Sequence, residues 1–175
     1  MILSDKDVTM MVNEGKIKIL PFDKKNLNPC SFDLTLSSQF TLFKKGRTLD
    51  SRKAVREEDV EVINTEGEAF EIQPRQFVLA RTVEKIAIPR DIAATLQGRS
   101  SIARLGIVVL AAGLVNPGSG ASKPVPMVLE VFCQNTSPVK LYPGTKIVQI
   151  IFHKLTTPAE RGYDEIEGSR FIGQE

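Results

Sequence analysis

The densest group of chemically useful side chains is Gln97-Gly98-Arg99-Ser100-Ser101-Ile102-Ala103-Arg104-Leu105-Gly106. A glycine followed by a guanidinium and two hydroxyls opens what reads as a short helix. The hydroxyls, the Arg99 fork and the free amides of a first helical turn together make a cradle for an anion such as phosphate. The same residues suit an ordinary capped helix start, and residue types alone leave both readings open. Arg104 lies five residues beyond Arg99, so at about 100° per helical residue it points roughly 140° away. The two arginines therefore serve different places, which can be different subunits. A second feature is Glu130, a lone carboxylate inside Val128-Leu129-Glu130-Val131-Phe132. In a strand it shares a face with Val128 and Phe132. Buried, it is costly unless paired or protonated, and desolvation lifts its pKa toward the range useful for proton transfer. Exposed on the wet face of a half-buried strand, it carries no chemistry.

The rest of the composition narrows the choices. The 175 residues include one histidine, His153, and two distant cysteines, Cys30 and Cys133, with no Cys-x-x-Cys. That falls short of a zinc ligand set and of a His-based triad, so His153 reads as a partly exposed strand residue. The cysteines read as two buried free thiols in a reducing compartment. Lys and Arg number 23 against 21 Asp and Glu, a net charge of +2. With both signs interspersed, the chain lacks the one-signed face that nucleic acid or a membrane surface requires, whereas a small anionic ligand needs only a local cluster. No apolar run nears the roughly 20 residues of a membrane helix. The opening Met-Ile-Leu-Ser-Asp-Lys-Asp lacks a signal peptide's layout, and the expected location is the cytoplasm.

Positioning the site falls to a mostly β chain with two short helices. Ser4 is a plausible N-cap, Asp5 and Asp7 suit a first turn, Val8, Met11 and Val12 recur at helical spacing, and Gly15 can end the helix. The second helix follows Gly98-Arg99-Ser100-Ser101. Strand-like runs are 17–20, 32–36, 40–43, 60–63, 70–72, 77–82, 107–112, 127–132, 139–142 and 147–154. Pro21, Asn28-Pro29, Pro74, Pro89, Asn116-Pro117-Gly118 and Pro143-Gly144 punctuate them. Many short strands at close spacing indicate a sandwich, a jelly roll or a distorted barrel. The highly charged 44–59 reads as a mobile or solvated excursion from that core.

Several segments in order along the chain carry a resemblance. Gly98-Arg99-Ser100-Ser101-Ile102-Ala103-Arg104-Leu105-Gly106 resembles the signature of the dCTP deaminases, relatives of the trimeric dUTPases. Pro29-Cys30-Ser31-Phe32-Asp33-Leu34-Thr35-Leu36 resembles that family's early strand. Glu84-Lys85-Ile86-Ala87-Ile88-Pro89-Arg90-Asp91 resembles its lead-in to the signature. Pro143-Gly144-Thr145-Lys146-Ile147-Val148-Gln149-Ile150 resembles its late Pro-Gly turn and glutamine strand. Gly162-Tyr163 and Ser169-Arg170-Phe171-Ile172-Gly173-Gln174 resemble a tail that folds over the nucleotide.

The resemblance implies one dUTPase-like domain over 1–175, a distorted β-barrel or jelly roll, with 160–175 as a nucleotide-covering tail. It implies a homotrimer with active sites between subunits, dCTP and dUTP as ligands, dTTP as an inhibitor to test, and magnesium riding on the triphosphate. No zinc is implied, in contrast to the His/Cys zinc sites of other base deaminases. Arg99, Ser100, Ser101 and Gln149 then hold phosphates, helped by Arg170 and Gln174 from the tail; Tyr163 belongs to the same closing segment, and 112–116 line the base and deoxyribose. Arg170 stands where a lysine is common. Glu130 matches the catalytic glutamate that shuttles protons, Ser100 and the carbonyl of Ala112 orient the water, and a neighbouring subunit's Arg104 supports them.

Two departures accompany these matches. Asn116 stands where an aspartate is common, and in dUTPases and bifunctional members that carboxylate activates the water that attacks the phosphates. An amide cannot do so, which points to dUTP and ammonia as products. The stretch between Gly106 and Asn116 is one residue shorter than usual, and the loop 118–126 is longer. The competing readings are a dUTP pyrophosphatase, a bifunctional enzyme giving dUMP, and a non-catalytic trimeric nucleotide-binding regulator.

Overall fold

The chain opens with the helix that its capping residues specify. In this computed structural model, which describes residues 1–110 and 113–166, α1 spans Asp5–Asn13. Ser4 Oγ accepts from the Asp7 amide at 3.3 Å, and the Asp7 carboxylate accepts from the Ser4 amide at 2.9 Å. This reciprocal cap satisfies two donors that a helix start otherwise leaves orphaned. Val8 and Met11 are buried on one face. Gly15, at φ 71°, adopts the left-handed conformation that ends the element.

The remaining described residues build twelve strands and a second helix. The strands are β1 Lys18–Leu20, β2 Leu27–Asn28, β3 Ser31–Phe43, β4 Val60–Asn64, β5 Phe70–Ile72, β6 Phe77–Ala87, β7 Ile92–Gly98, β8 Ile107–Val109, β9 Leu114–Val115, β10 Val125–Cys133, β11 Val139–Leu141 and β12 Lys146–Lys154. The short helix α2, Ser100–Ala103, follows β7. Neighbours run β8-β10-β6-β3-β12-β7-β9, with β1 on β6, and β2 and β4 on β3; β5 and β11 pair separately.

The geometry turns on β3. Its thirteen residues read in the sequence as two strands, because Ser37-Ser38-Gln39 breaks the apolar alternation. They form one strand that serves two halves of the sheet. Phe32 to Thr35 pair with β12, whereas Phe40 and Thr41 pair with β6 after a register shift. Phe32, Leu34, Leu36 and Phe40 all point into the core and are fully buried. Each such side chain contributes about 1.5–3 kcal/mol of burial, and the Phe40 and Phe70 rings stack at 4.3 Å.

Three expectations need correction. Strand β7, Ile-Ala-Ala-Thr-Leu-Gln-Gly, was not expected, since two alanines and a glycine are poor strand formers. It forms because every residue pairs with β12, and tertiary pairing overrides weak propensity. Strand β8 ends at Val109 rather than at 112; Ala111 and Ala112 lie outside the described residues. Cys133 is buried as expected, but Cys30 is exposed, because it sits in the turn between β2 and β3. The charged segment 44–59 is clipped at its far end: buried Asp59 accepts from Arg47 Nε at 3.0 Å and from Arg56 Nε at 2.9 Å. Among the described residues no helix is long and apolar enough to cross a membrane.

Candidate active site

A polar face on β3, β12 and β7 gathers part of the predicted site. Ser31, Asp33 and Thr35 alternate with the buried Phe32, Leu34 and Leu36, so they share the opposite side of β3. Gln149 pairs across from Asp33, and Gln97 pairs across from Gln149. Ser31 Oγ donates to Gln149 Oε1 at 3.0 Å. A register shift between Lys146 and Val148 sets Lys146 opposite Thr35. This bulge brings Lys146 and Gln149, three residues apart, onto one face, which regular alternation forbids.

Arg99 is tied into the same face as it leaves β7. Its amide donates to Ile147 O at 3.4 Å, and its Nη1 donates to Lys146 O at 3.5 Å. Its Nε lies 3.3 Å from Asp33 Oδ1, and Lys146 Nζ lies 3.3 Å from Asp33 Oδ2. The Arg99 approach has ion-pair distance without hydrogen-bond direction, so Asp33 Oδ1 retains an unused lone pair. Ser100 and Ser101 open α2 and are exposed. Arg104 caps its far end, also exposed, with no ion pair among the described residues. The turn after it is fixed by Gly106 at φ 73°, where a Cβ would sit 2.9 Å from the Asn135 amide. Arg99 and Arg104 thus face different surroundings.

Glu130 lies on the other half of the sheet, in β10 between β6 and β8. The alternation along β10 buries Met127, Leu129, Val131 and Cys133 and turns Val128, Glu130 and Phe132 outward, half-buried. Glu130 is therefore on neither a wet face nor in the core. Its Oε2 is enclosed with no hydrogen-bond partner. Burial pushes its carboxyl above the ordinary value for a glutamate, against a smaller opposing hydrogen bond from its own backbone. A carboxyl whose pKa is raised is better suited to accept a proton and return it than an ordinary glutamate.

A third group surrounds Asn116. The Tyr163 amide donates to Pro117 O at 2.8 Å. The Asp164 carboxylate accepts from the Gly120 and Ser122 amides at 3.3 and 3.2 Å and from Ser122 Oγ at 2.9 Å. Gly118, at φ 81°, packs so tightly on Gly162 that a Cβ would come within 2.4 Å of its Cα. Arg90 pairs with Glu165 beside it. The first residues of the expected tail are thus docked on the turn that carries Asn116.

Of the predicted site residues, Arg99 and Gln149 come together, and Asn116 and Tyr163 come together. Glu130 stands apart from both groups within one chain. Ala112, Arg170 and Gln174 lie outside the described residues. His153 Nε2 is 2.9 Å from Thr95 Oγ1, and among the described residues no group of three or more His, Cys, Asp or Glu could hold a metal ion. Sequence reasoning missed Asp33, Lys146 and Asp164. Asp33 had a readable signal, a lone acid in an apolar strand like Glu130; the other two depend on a bulge and on a loop contact.

With this geometry in place, comparisons place the chain. A family model described as dCTP deaminase-like matches residues 2–155. A "dCTP deaminase, dUMP-forming" from Dictyoglomus thermophilum is 42% identical over 99% of this chain and 91% of its own. One of the same description from Streptomyces coelicolor is 39% identical over 99% of this chain and 91% of its own. Among solved structures, the 2'-deoxycytidine 5'-triphosphate deaminase from Agrobacterium tumefaciens superposes with a TM-score of 0.66 at 21% identity, over 87% of this chain and 47% of that one. A mutant dUTPase from phage phi11 of S. aureus, described with a structural Mg(II) ion, gives a TM-score of 0.50 at 11% identity, over 86% and 98%. These two likenesses establish a shared dUTPase-like fold, and the identity spread over nearly the whole chain establishes kinship. The chain belongs to the dCTP deaminase-like family.

Proposed function

We propose that this protein is a hydrolytic dCTP deaminase whose proton-transfer group is Glu130. The observation that carries this reading is the outward-facing, half-buried Glu130 with an enclosed, unpartnered oxygen and a raised carboxyl pKa. Water adds to C4 of cytosine while the Glu130 carboxylate takes one of its protons and passes it to N3. The second proton then travels to the amino group, the C4–N bond breaks, and ammonia leaves with uracil formed. One carboxyl serves as base and then acid. Ser100 and the Ala112 carbonyl orient the water. Arg104 of a neighbouring copy supplies a fixed positive charge as the adduct forms.

The substrate is the magnesium complex of dCTP, with the ion held on the triphosphate. Arg99, Ser100, Ser101 and Gln149 receive the phosphates, assisted by Arg170 and Gln174, while Asn116 and Tyr163 flank the sugar and base. Such a site needs more than one copy, and a homotrimer fits: Leu105, Leu110 and Leu114, which bracket it, are 49%, 60% and 54% exposed. Large apolar side chains exposed beside a site are a mark of a surface that another chain covers. dTTP shares the deoxyribose and triphosphate and is the ligand to test as an inhibitor.

The product is dUTP, because Asn116 offers an amide where phosphoanhydride hydrolysis needs a proton-accepting carboxylate. The second reading, dUMP with pyrophosphate, is favoured by the description of the relatives as dUMP-forming. Incubation with dCTP and magnesium, reading ammonia and nucleotide together, decides. Ammonia with dUTP supports the proposal, and ammonia with dUMP replaces its product. Tight binding of dCTP without ammonia turns the protein into a nucleotide-binding regulator.

A further inference from the structure

We propose that Lys146 is a further triphosphate-binding residue, and that Asp33 is the positioning residue that holds it beside Arg99. The proposal rests on the phosphate-binding reading of Arg99 and Gln149. Three observations carry it. First, the bulge in β12 exists at the one place where it re-aims Lys146 onto the face of Gln149. Without it, Lys146 would alternate to the other side of the strand.

Second, the burial is layered. The Asp33 side chain is 3% exposed, whereas those of Arg99 and Lys146 are 31% and 34% exposed. The carboxylate forms the floor, out of reach of any ligand, and the two cations stand above it at the rim. A buried carboxylate requires compensation, but one cation neutralises it. The second leaves the cluster with a surplus positive charge next to the Gln149 amide.

Third, donors remain. An ammonium has three hydrogens. Lys146 Nζ donates to the Lys25 carbonyl, 3.2 Å away, and lies 3.3 Å from Asp33 Oδ2, so even with one hydrogen given to Asp33 one is left for a phosphate oxygen. Arg99 donates one Nη1 hydrogen to Lys146 O and approaches Asp33 through Nε without hydrogen-bond direction, so among the described residues its Nη2 hydrogens have no acceptor. A guanidinium fork beside a point charge is a fitting pair for neighbouring phosphate oxygens.

Binding of inorganic tripolyphosphate with magnesium to the full chain tests this without reference to deamination, so a failure here is distinct from an absence of ammonia release. Lys146→Met is expected to weaken tripolyphosphate binding at least about tenfold, equivalent to about 1.4 kcal/mol. Lys146→Arg, which keeps the charge, is expected to stay within about threefold, and deoxycytidine binding is expected not to change in either. Asp33→Asn separates charge from position. It raises the cluster's charge by one, so a carboxylate that merely diluted the positive field would, on removal, leave tighter binding; the positioning role predicts weaker binding. Lys146→Met binding tripolyphosphate as the wild type does, or Asp33→Asn binding it more tightly, overturns the proposal. Should Asp33→Asn melt below the assay temperature, the Lys146 pair alone decides.

Discussion

The two halves of the sheet treat their carboxylates in opposite ways. Asp33, on the β3–β12–β7 half, is 2% exposed and flanked by two cations. Glu130, on the β6–β10–β8 half, faces outward beside Val128 and Phe132 with an enclosed oxygen that has no hydrogen-bond partner. The first half is assembled within one chain: the carboxylate is compensated by two cations, which leaves a surplus positive charge at the rim. The second half is unfinished. A lone acid on an apolar, half-covered face pays desolvation without an ion pair, which suits a group that must change protonation during a reaction. On the proposed function, binding is preassembled in one chain, whereas proton transfer waits for substrate and a neighbouring copy.

The largest expected effect breaks the unfinished half. Glu130→Gln keeps shape and removes the proton acceptor, so kcat for ammonia release falls by about 10²–10⁴, while dCTP affinity measured by titration changes little. The same substitution sharpens the contrast through stability. Because the folded pKa of Glu130 is raised, its ionised form is disfavoured by folding, and that cost is present at pH values above the unfolded pKa. Glu130→Gln therefore raises Tm at pH 7, and the gain fades as pH falls through the unfolded glutamate pKa. In the wild type the same raised pKa places the acid limb of the pH–rate profile above the ordinary glutamate value.

The next effect breaks the finished half. Arg99→Ala removes charge-assisted hydrogen bonds to phosphate and strands Asp33 with one cation. The expected loss is about 10–100-fold in dCTP affinity, with ammonia release at saturating dCTP much less affected. A parallel loss of kcat at saturation would deny the division of labour between the halves.

Smaller effects lie at the periphery. Gly118→Ala places a Cβ 2.4 Å from Gly162 Cα at φ 81°, which forces the docked 159–166 segment away from the Asn116 turn. A drop in Tm of about 3–6 °C with a raised KM is expected. Asp59→Asn unclips the charged excursion, and proteolysis within 44–57 quickens with activity unchanged. Hydrogen bonds from Arg56, the foremost cause, hold the Asp59 carboxyl below its ordinary value. Its contribution is thus present above the unfolded carboxylate pKa and is lost as pH falls through the lowered one.

What the sequence made legible follows from locality. The capping box at Ser4 and Asp7, the alternation of β10 and the polar punctuation of most strands are local patterns, and the structure contains all three. Glu130's face could be read from parity alone, but its enclosure could not, since that depends on β6 and β8. The pairing of Arg99 with Asp33 joins residues 66 positions apart, counted from their numbers, and no periodicity announces it. Lys146 was invisible for a different reason: a bulge inverts parity, so alternation assigns it to the wrong face. Strand β7 was missed because Ala93 and Ala94 are strand residues only where β12 and β9 flank them.

On the proposed function, Glu130 drives conversion of bound dCTP into a uracil nucleotide and ammonia. This role is tested most directly by mixing saturating magnesium dCTP with the wild type and with Glu130→Gln and following ammonia. Steady ammonia release is expected from the wild type and about 10²–10⁴-fold slower release from Glu130→Gln, with dCTP still bound. Ammonia release by Glu130→Gln at the wild-type rate would contradict it.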